Sequence, residues 1–205
     1  RIWSRKELEP VENAINATQT LLRSFDDKFP GCIIKVFLSG ERNFRDNIWV
    51  SRKYKGNREH LARPSHLLAV KEYLKDVWMG CVSINQEADD DIGIASGSDT
   101  VVVSTDKDLD QIPGWHFNWV SGDVYFIEER DADQFLWEQV IAGDTVDNVV
   151  GLPGWGLIKA RKWLDSKPDD KSLEDWAYEL YQKEGYGYEY FHEQVSLIRI
   201  LRQPR

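Results

Sequence analysis

Cysteine is nearly missing from this 205-residue chain: Cys32 and Cys81 are the whole complement, far apart, with no CxxC pair and no histidine spaced to join them. That excludes a disulfide framework and a thiolate zinc site, and both residues are expected at buried strand positions. Histidine is scarce too, four residues with no shared spacing, and none is assigned a role. No apolar run approaches the roughly eighteen residues of a membrane span, and no basic start leads into a short apolar run as in a secretory signal. A soluble cytoplasmic protein is expected. Repeats and low-complexity linkers are absent. Positive charge is in deficit, with 26 Lys and Arg against 35 Asp and Glu and a formal net charge of −9. Taken alone, this argues against nucleic acid, whose phosphates are bound by cations that displace counterions.

What is present is globular. The hydrophobic share of 41% and the length suffice for one α/β core with a small helical appendage. Val11, Ile15, Thr18, Leu22 and Phe25 fall at helical spacing, predicting a helix that ends before Pro30-Gly31. The run CIIKVFL (32–38) reads as a buried strand, and 64 to about 78 as a second helix with Leu67, Leu68, Val70, Tyr73, Leu74 and Val77 on its apolar side. CVSIN (81–85) and TVVVST (100–105) read as strands, and WHFNWVSGDVYFIEE (115–129) as a hairpin around Ser121-Gly122-Asp123. Helices are expected from Asp131 to about Ala142, after a glycine-rich stretch near 151–156, and from Ser172 and Tyr188. This alternation implies a mostly parallel sheet to about residue 130 and a helical tail. Of the nine tryptophans, most should be core, Trp78, Trp137, Trp163 and Trp176 among them.

Three sets of carboxylates sit at element ends. Glu87, Asp89 and Asp90 stand at a helix entrance, within QEADDDIG (86–93). Asp106 and Asp108 follow the clearest strand at i and i+2, on one side of an extended segment. Asp144 and Asp147 lie at i and i+3, one face of a helical turn. Any one set is explained as well by helix capping. Three sets, two of them beyond strand carboxyl ends where ligands bind in open parallel sheets, suggest more. Carboxylates without His or Cys suit a hard cation, Mg²⁺ or Mn²⁺ rather than zinc. Their number suits two ions roughly 4 Å apart, a pair that activates water and stabilises a leaving oxygen. Asp91 is expected to be left to solvent.

The basic residues Arg42, Arg45, Arg52, Lys53, Lys55, Arg58 and Arg63 gather in one segment, against Glu41, Asp46 and Glu59. Solvated surface explains such a run by itself. Beside a cation site, Lys55 and Arg58 read better as clamps on a reacting phosphate, with Tyr54 available to stack on a base. In GLPGWGLIKARK (151–162), Gly151, Gly154 and Gly156 precede a helix bearing Lys159, Arg161 and Lys162. Neither the P-loop nor the dinucleotide pattern matches. Glycines entering a helix let backbone N–H groups approach phosphate, although they also join packed helices.

Together FR (44–45), YKGNR (54–58), EADD (87–90), STDKDLD (104–110) and GDTVDNVVGLPGWGLIKA (143–160) resemble, in order, the motifs of the 5′-3′ exonuclease and flap endonuclease family, with the wording nearest its bacteriophage members. The resemblance implies a PIN-like α/β core over 1–142 with a helical arch around 42–78. It also implies a helix-three-turn-helix over 143–205 that binds duplex DNA and a K⁺ ion. It implies Glu87, Asp89, Asp90, Asp106, Asp108, Asp144 and Asp147 as metal ligands, Lys55 and Arg58 on the reacting phosphate, and Tyr54 stacking near it. Arg45, Arg52, Lys53, Gly151, Gly154, Gly156, Lys159 and Arg161 would join Tyr54 in contacting DNA. The implied protein is a monomeric nuclease of replication or repair, acting in the cytoplasm (the host's, for a phage protein) on DNA 5′ ends or flaps and on RNA in hybrids. The alternatives are a DNA-binding module without catalysis and an acidic-site phosphatase. Two departures stand out. Nothing before Ile33 matches the family's first strand with its DGD-like aspartate, expected ahead of Arg1, and Ser39 stands in LSG where the family commonly has FDG.

Overall fold

The computed structural model describes residues 9–205; expectations for the chain ahead of Glu9 lie outside the described residues. The chain divides into two compact units, one made of residues up to Glu41 with His60–Ala88, the other of Arg42–Glu59 with Asp89–Arg205. The fold is α/β, as expected, but the expected boundary at 142/143 falls inside the second unit. There the helix Glu129–Ala142 buries its Leu136, Trp137, Val140 and Ile141 in the same cluster as the helices that follow it.

In the first unit, α1 (Val11–Lys28) turns Ala14, Thr18, Leu22 and Phe25 inward, and the Thr18 hydroxyl returns to the Ala14 carbonyl at 2.8 Å. α2 (Leu67–Val77) packs on α1 and buries Val70 alone. Its expected apolar side is only partly covered, since Leu68 is 71% and Val77 60% exposed. β1 (Phe37–Leu38) pairs in parallel with β2 (Cys81–Val82). Both strands are shorter than the sequence suggests. A strand exists only where a neighbour takes its N–H and C=O groups, and among the described residues the ladder joins Phe37 to Cys81 and Leu38 to Val82 and goes no further. Cys32 lies outside that ladder and Cys81 within it, and both, expected in the interior, are exposed.

The second unit holds the larger core. α3 (Ala88–Ala95) leads to β3 (Val101–Val103), β4 (Gly114–Phe117) and β5 (Val124–Ile127), in the order β3-β4-β5. β3 and β4 are parallel, with Val102 opposite His116, and β4 and β5 form the expected hairpin, with His116 opposite Tyr125. Asn118 accepts from the N–H groups of Val120 and Ser121 to close the turn, where Gly122 takes φ +83°. Among the described residues, two small sheets therefore stand where one mostly parallel sheet was expected.

Beyond the hairpin come α4 (Glu129–Ala142), α5 (Leu157–Asp165), α6 (Leu173–Lys183) and α7 (Tyr188–Ile198). Ser172 caps α6 by accepting from Asp175 N. Trp137, Val140, Ile141, Leu164, Leu180, Tyr181 and Phe191 make one buried cluster, each such side chain contributing about 1.5–3 kcal/mol. Tyr181 is tied into it by a 2.6 Å bond to the Val140 carbonyl. Trp163 and Trp176 rest half-buried against the cluster. No helix among the described residues is long and apolar enough to cross a membrane.

Candidate active site

β3 ends at Val103 and the chain tightens into a 3₁₀ turn, Lys107–Gln111, capped by Asp106, whose carboxylate accepts from Asp108 N at 3.1 Å. Asp106 is exposed, whereas Asp108 is half-buried. Burial pushes the Asp108 carboxyl up to about 6, and negative charge on Asp106, Asp144 and Asp147 pushes the same way; a hydrogen bond from Gln139 opposes the rise. Asp108, Asp106 and the loop after α4 thus share one region of negative potential, which favours a cation.

That loop is a tight return. Asp144 and Val149 exchange both backbone bonds, at 2.9 and 2.7 Å, and the Asp144 carboxylate accepts from Val146 N at 2.6 Å. The basic turn is clasped onto it. Lys55 N donates to the Asp147 carbonyl at 2.9 Å, Asn57 Nδ2 to Thr145 O at 2.9 Å, and Asn148 Nδ2 to Lys53 O at 2.8 Å. Arg58 reaches Val146 O at 3.0 Å and the Asp147 carboxylate at 2.5 Å, and Lys55 Nζ lies 3.4 Å from Asp147. Lys55 takes φ +54°, a strained setting for a side chain with a Cβ. The backbone over 42–59 makes two short 3₁₀ turns, Phe44–Asn47 and Gly56–Arg58, and these bonds hold the second of them.

Four expectations are corrected here. Asp90, read as a ligand, is fully buried and accepts both arms of the Arg45 guanidinium at 2.7 and 2.9 Å, plus Leu201 N at 3.0 Å. Arg45, read as a DNA contact, is accordingly interior, and it also donates to the Leu197 and Arg199 carbonyls. A buried pair this extensively bonded ties residues 45 and 90 to the segment 197–201, and a metal or phosphate would have to displace those bonds. Tyr54, read as a stacking surface, is 5% exposed in the helical core, its hydroxyl 3.1 Å from Asp147. Asp91, expected in solvent, is half-buried.

Asp89 lies in the first turn of α3, half-buried, while Glu87 belongs to the first unit, half-buried. In that unit Ser39, the departure from the family pattern, accepts from Ala88 N through its hydroxyl at 3.1 Å. Among the described residues no three His, Cys, Asp or Glu stand close enough to hold a metal ion. The donor chemistry fits a hard cation: the side chains sharing the field are carboxylates, and their mutual repulsion is what a cation relieves. Arg52 and Lys53 are exposed, Lys53 paired with Glu59.

The glycine loop splits by role. Gly151 is buried with φ +61°, and a Cβ there would sit 2.3 Å from Gly143 N. Its N–H donates to Gln194 Oε1 at 2.9 Å. Gly151 therefore serves packing, contrary to its expected phosphate contact. Gly154 and Gly156 have open space around them, and Gly156 caps α5. Lys159 projects from α5 with its ammonium 3.8 Å from the centre of the Trp155 ring. Arg161, expected on DNA, is spent on the buried Glu138 in a two-armed pair at 2.8 and 2.9 Å.

The sequence reading missed two residues, Gln111 and Gln139. Gln139 Nε2 donates to Asp108 Oδ1 at 2.6 Å, and its Oε1 accepts from Gln111 Nε2 at 2.7 Å. The available signal was a glutamine set between Leu136 and Val140, on a helix face that is otherwise apolar.

No protein-family model matches the chain. It is 26% identical over 170 residues to the exodeoxyribonuclease of Enterobacteria phage T3, covering 76% of this chain and 55% of the relative. It is 32% identical over 152 residues to the flap endonuclease Xni of Shewanella sp. (strain ANA-3), covering 66% of this chain and 58% of the relative. The chain spans about half the length of such curated relatives. Among solved structures it resembles T5 5′-exonuclease with bound divalent metal ions (zinc), at TM-score 0.60 and 21% identity over 90% of this chain and 80% of that one. It also resembles a T5 flap endonuclease in a pseudo-enzyme-product complex with DNA and metal ions, at TM-score 0.55 and 21% identity over 95% and 82%. These structural likenesses establish the fold.

Proposed function

We propose that this chain, which belongs to the 5′-3′ exonuclease and flap endonuclease family, hydrolyses DNA phosphodiesters near 5′ ends or flaps with the help of divalent cations. The observation that carries the reading is the clasp of the basic turn 53–58 onto the loop 144–149, which sets Lys55 and Arg58 against Asp147. Asp147 in turn shares its negative field with Asp108. Cationic side chains suited to phosphate thus sit against a carboxylate suited to metal, and that neighbourhood supports hydrolysis of a phosphate ester.

The residues divide the work as follows. Asp106, Asp108, Asp144, Asp147 and Asp89 would hold Mg²⁺ or Mn²⁺, two ions by the number of carboxylates; Glu87 joins them on the motif alone. When bound, the ions would supply an activated water and charge stabilisation at the leaving oxygen. Lys55 and Arg58 exchange their contact with Asp147 for one with the scissile phosphate. Water adds to phosphorus and the bond to O3′ breaks, leaving a 5′-phosphate and a 3′-hydroxyl. Lys159 and the N–H groups at Gly154 and Gly156 grip the duplex backbone, a contact blind to sequence. Arg52 and Lys53 add exposed charge beside it. A K⁺ ion at the 151–156 loop, RNA strands in hybrids, a monomeric state and a cytoplasmic role in replication or repair belong to the same reading.

One observation favours a second reading: no three described carboxylates converge on an ion position, as expected of a structure-specific DNA-binding module without catalysis. A labelled 5′-flap substrate decides. Cleavage in Mg²⁺ that stops in EDTA supports the nuclease. Binding without cleavage in Mg²⁺ and in Mn²⁺ overturns it, and turnover of a small phosphoester with no action on DNA indicates a phosphatase.

A further inference from the structure

We propose that Gln139, oriented by Gln111 and by the backbone of residues 198–200, is a positioning residue that fixes the Asp108 carboxylate for cation binding; the inference rests on the nuclease reading above. An amide side chain has a donor end and an acceptor end, and its function depends on which faces where. Here the orientation is set from outside the site. Ile200 N donates to Gln111 Oε1 at 3.0 Å, and Gln111 Nε2 donates to Ile198 O at 3.1 Å, so Gln111 has one satisfactory arrangement. Its Nε2 also donates to Gln139 Oε1 at 2.7 Å. That contact leaves Gln139 its Nε2 for Asp108 Oδ1, at 2.6 Å. Gln111 is 1% and Gln139 6% exposed, so water does not compete for these bonds and the chain of amides is stiff.

The chemistry of the donor matters. Asp147 is held by Lys55 and Arg58, whose positive charges offset part of the field it shares with Asp108. Gln139 holds Asp108 without adding charge, so the carboxylate keeps the negative field that a divalent cation needs. Partners of this kind around metal-binding side chains typically govern about 10- to 100-fold in metal affinity or activity.

Gln139→Met keeps the volume at the site and orphans little, because Gln111 Nε2 retains Ile198 O as acceptor. The test measures three things on wild type and variant: the melting temperature in EDTA, Mn²⁺ binding without DNA by calorimetry, and kcat and KM on a 5′-flap in Mg²⁺. The expected result is a folded variant whose Mn²⁺ affinity and kcat each fall about 10-fold or more, with KM for DNA unchanged. Wild-type Mn²⁺ affinity and kcat in the variant overturn the proposal, and so does a loss confined to the melting temperature or to KM. Gln111→Met is the second variant: it should lower Mn²⁺ affinity in the same direction by a smaller factor, and no change there removes Gln111 from the relay. A wild type that neither binds Mn²⁺ nor cleaves the flap refutes the nuclease reading itself, a different outcome from a variant that matches a working wild type.

Discussion

Asp89 and Asp90 are adjacent in sequence and equal in charge, and their surroundings separate them. Asp90 is 0% exposed and paired with Arg45, so removing it strands a buried guanidinium. Asp90→Ala should cost about 3–5 kcal/mol of stability, measured by urea unfolding in EDTA. A pure metal ligand would leave the metal-free protein as stable as before or more so, because a repelling charge is gone. Asp108 is the opposite case. Its folded pKa of about 6 lies above the ordinary 3.8, so this group favours the folded state fully below about pH 4, and the advantage is lost as pH rises through 6. Asp108→Asn imitates the protonated form and still accepts from Gln139. In EDTA it should therefore melt higher than wild type at pH 8 and equally at pH 4; a lower melting point at pH 8 contradicts the repulsion inferred here. The sequence shows which acids are clustered. It does not show that Asp90 pairs with Arg45, 45 positions away, because local spacing carries no information on long-range partners.

At the scale of the element, the loop before α5 was legible as glycine-rich, but not in how its glycines divide. Packing decides it: Gly151 abuts Gly143 while Gly156 faces open space. Gly151→Ala must relieve a 2.3 Å clash at φ +61°, which should cost at least about 1–3 kcal/mol. Gly156→Ala should stay within about 0.5 kcal/mol on unfolding. The basic residues of α5 divide likewise. Lys159→Ala should weaken duplex binding evenly across sequences and reduce the salt slope of log K by about 1. Arg161→Ala should leave that slope alone and lower the melting temperature, because Glu138, 1% exposed, loses its partner. Equal slopes for Lys159→Ala and wild type would remove α5 from the DNA surface. Strands were the weaker part of the reading. TVVVST and the hairpin are present because β3, β4 and β5 complete one another's ladders, whereas among the described residues CIIKVFL pairs through Phe37 and Leu38, with Val36 O accepting from Cys81 N.

For the whole molecule, a net charge of −9 sets the problem that the proposed action on DNA must solve. The acids that repel phosphate include those whose field reaches Asp108, and on the proposed reading a divalent cation bound there would reverse the local sign. Binding to the folded state alone also stabilises it: free ion at 100 times its dissociation constant adds about 2.7 kcal/mol. Mg²⁺ should therefore raise the melting temperature of wild type at pH 8 and leave Asp108→Asn nearly unmoved. The two proteins should then exchange order, the variant melting higher in EDTA and the wild type higher in saturating Mg²⁺. A simple structural role for Asp108 would shift both curves in parallel and produce no crossing. Sodium at matched ionic strength is the control, since screening alone lessens the repulsion in the wild type without selecting for a bound ion. If sodium reproduces the full effect of Mg²⁺, the carboxylates are a solvated acidic face, and the divalent ion has no site among them.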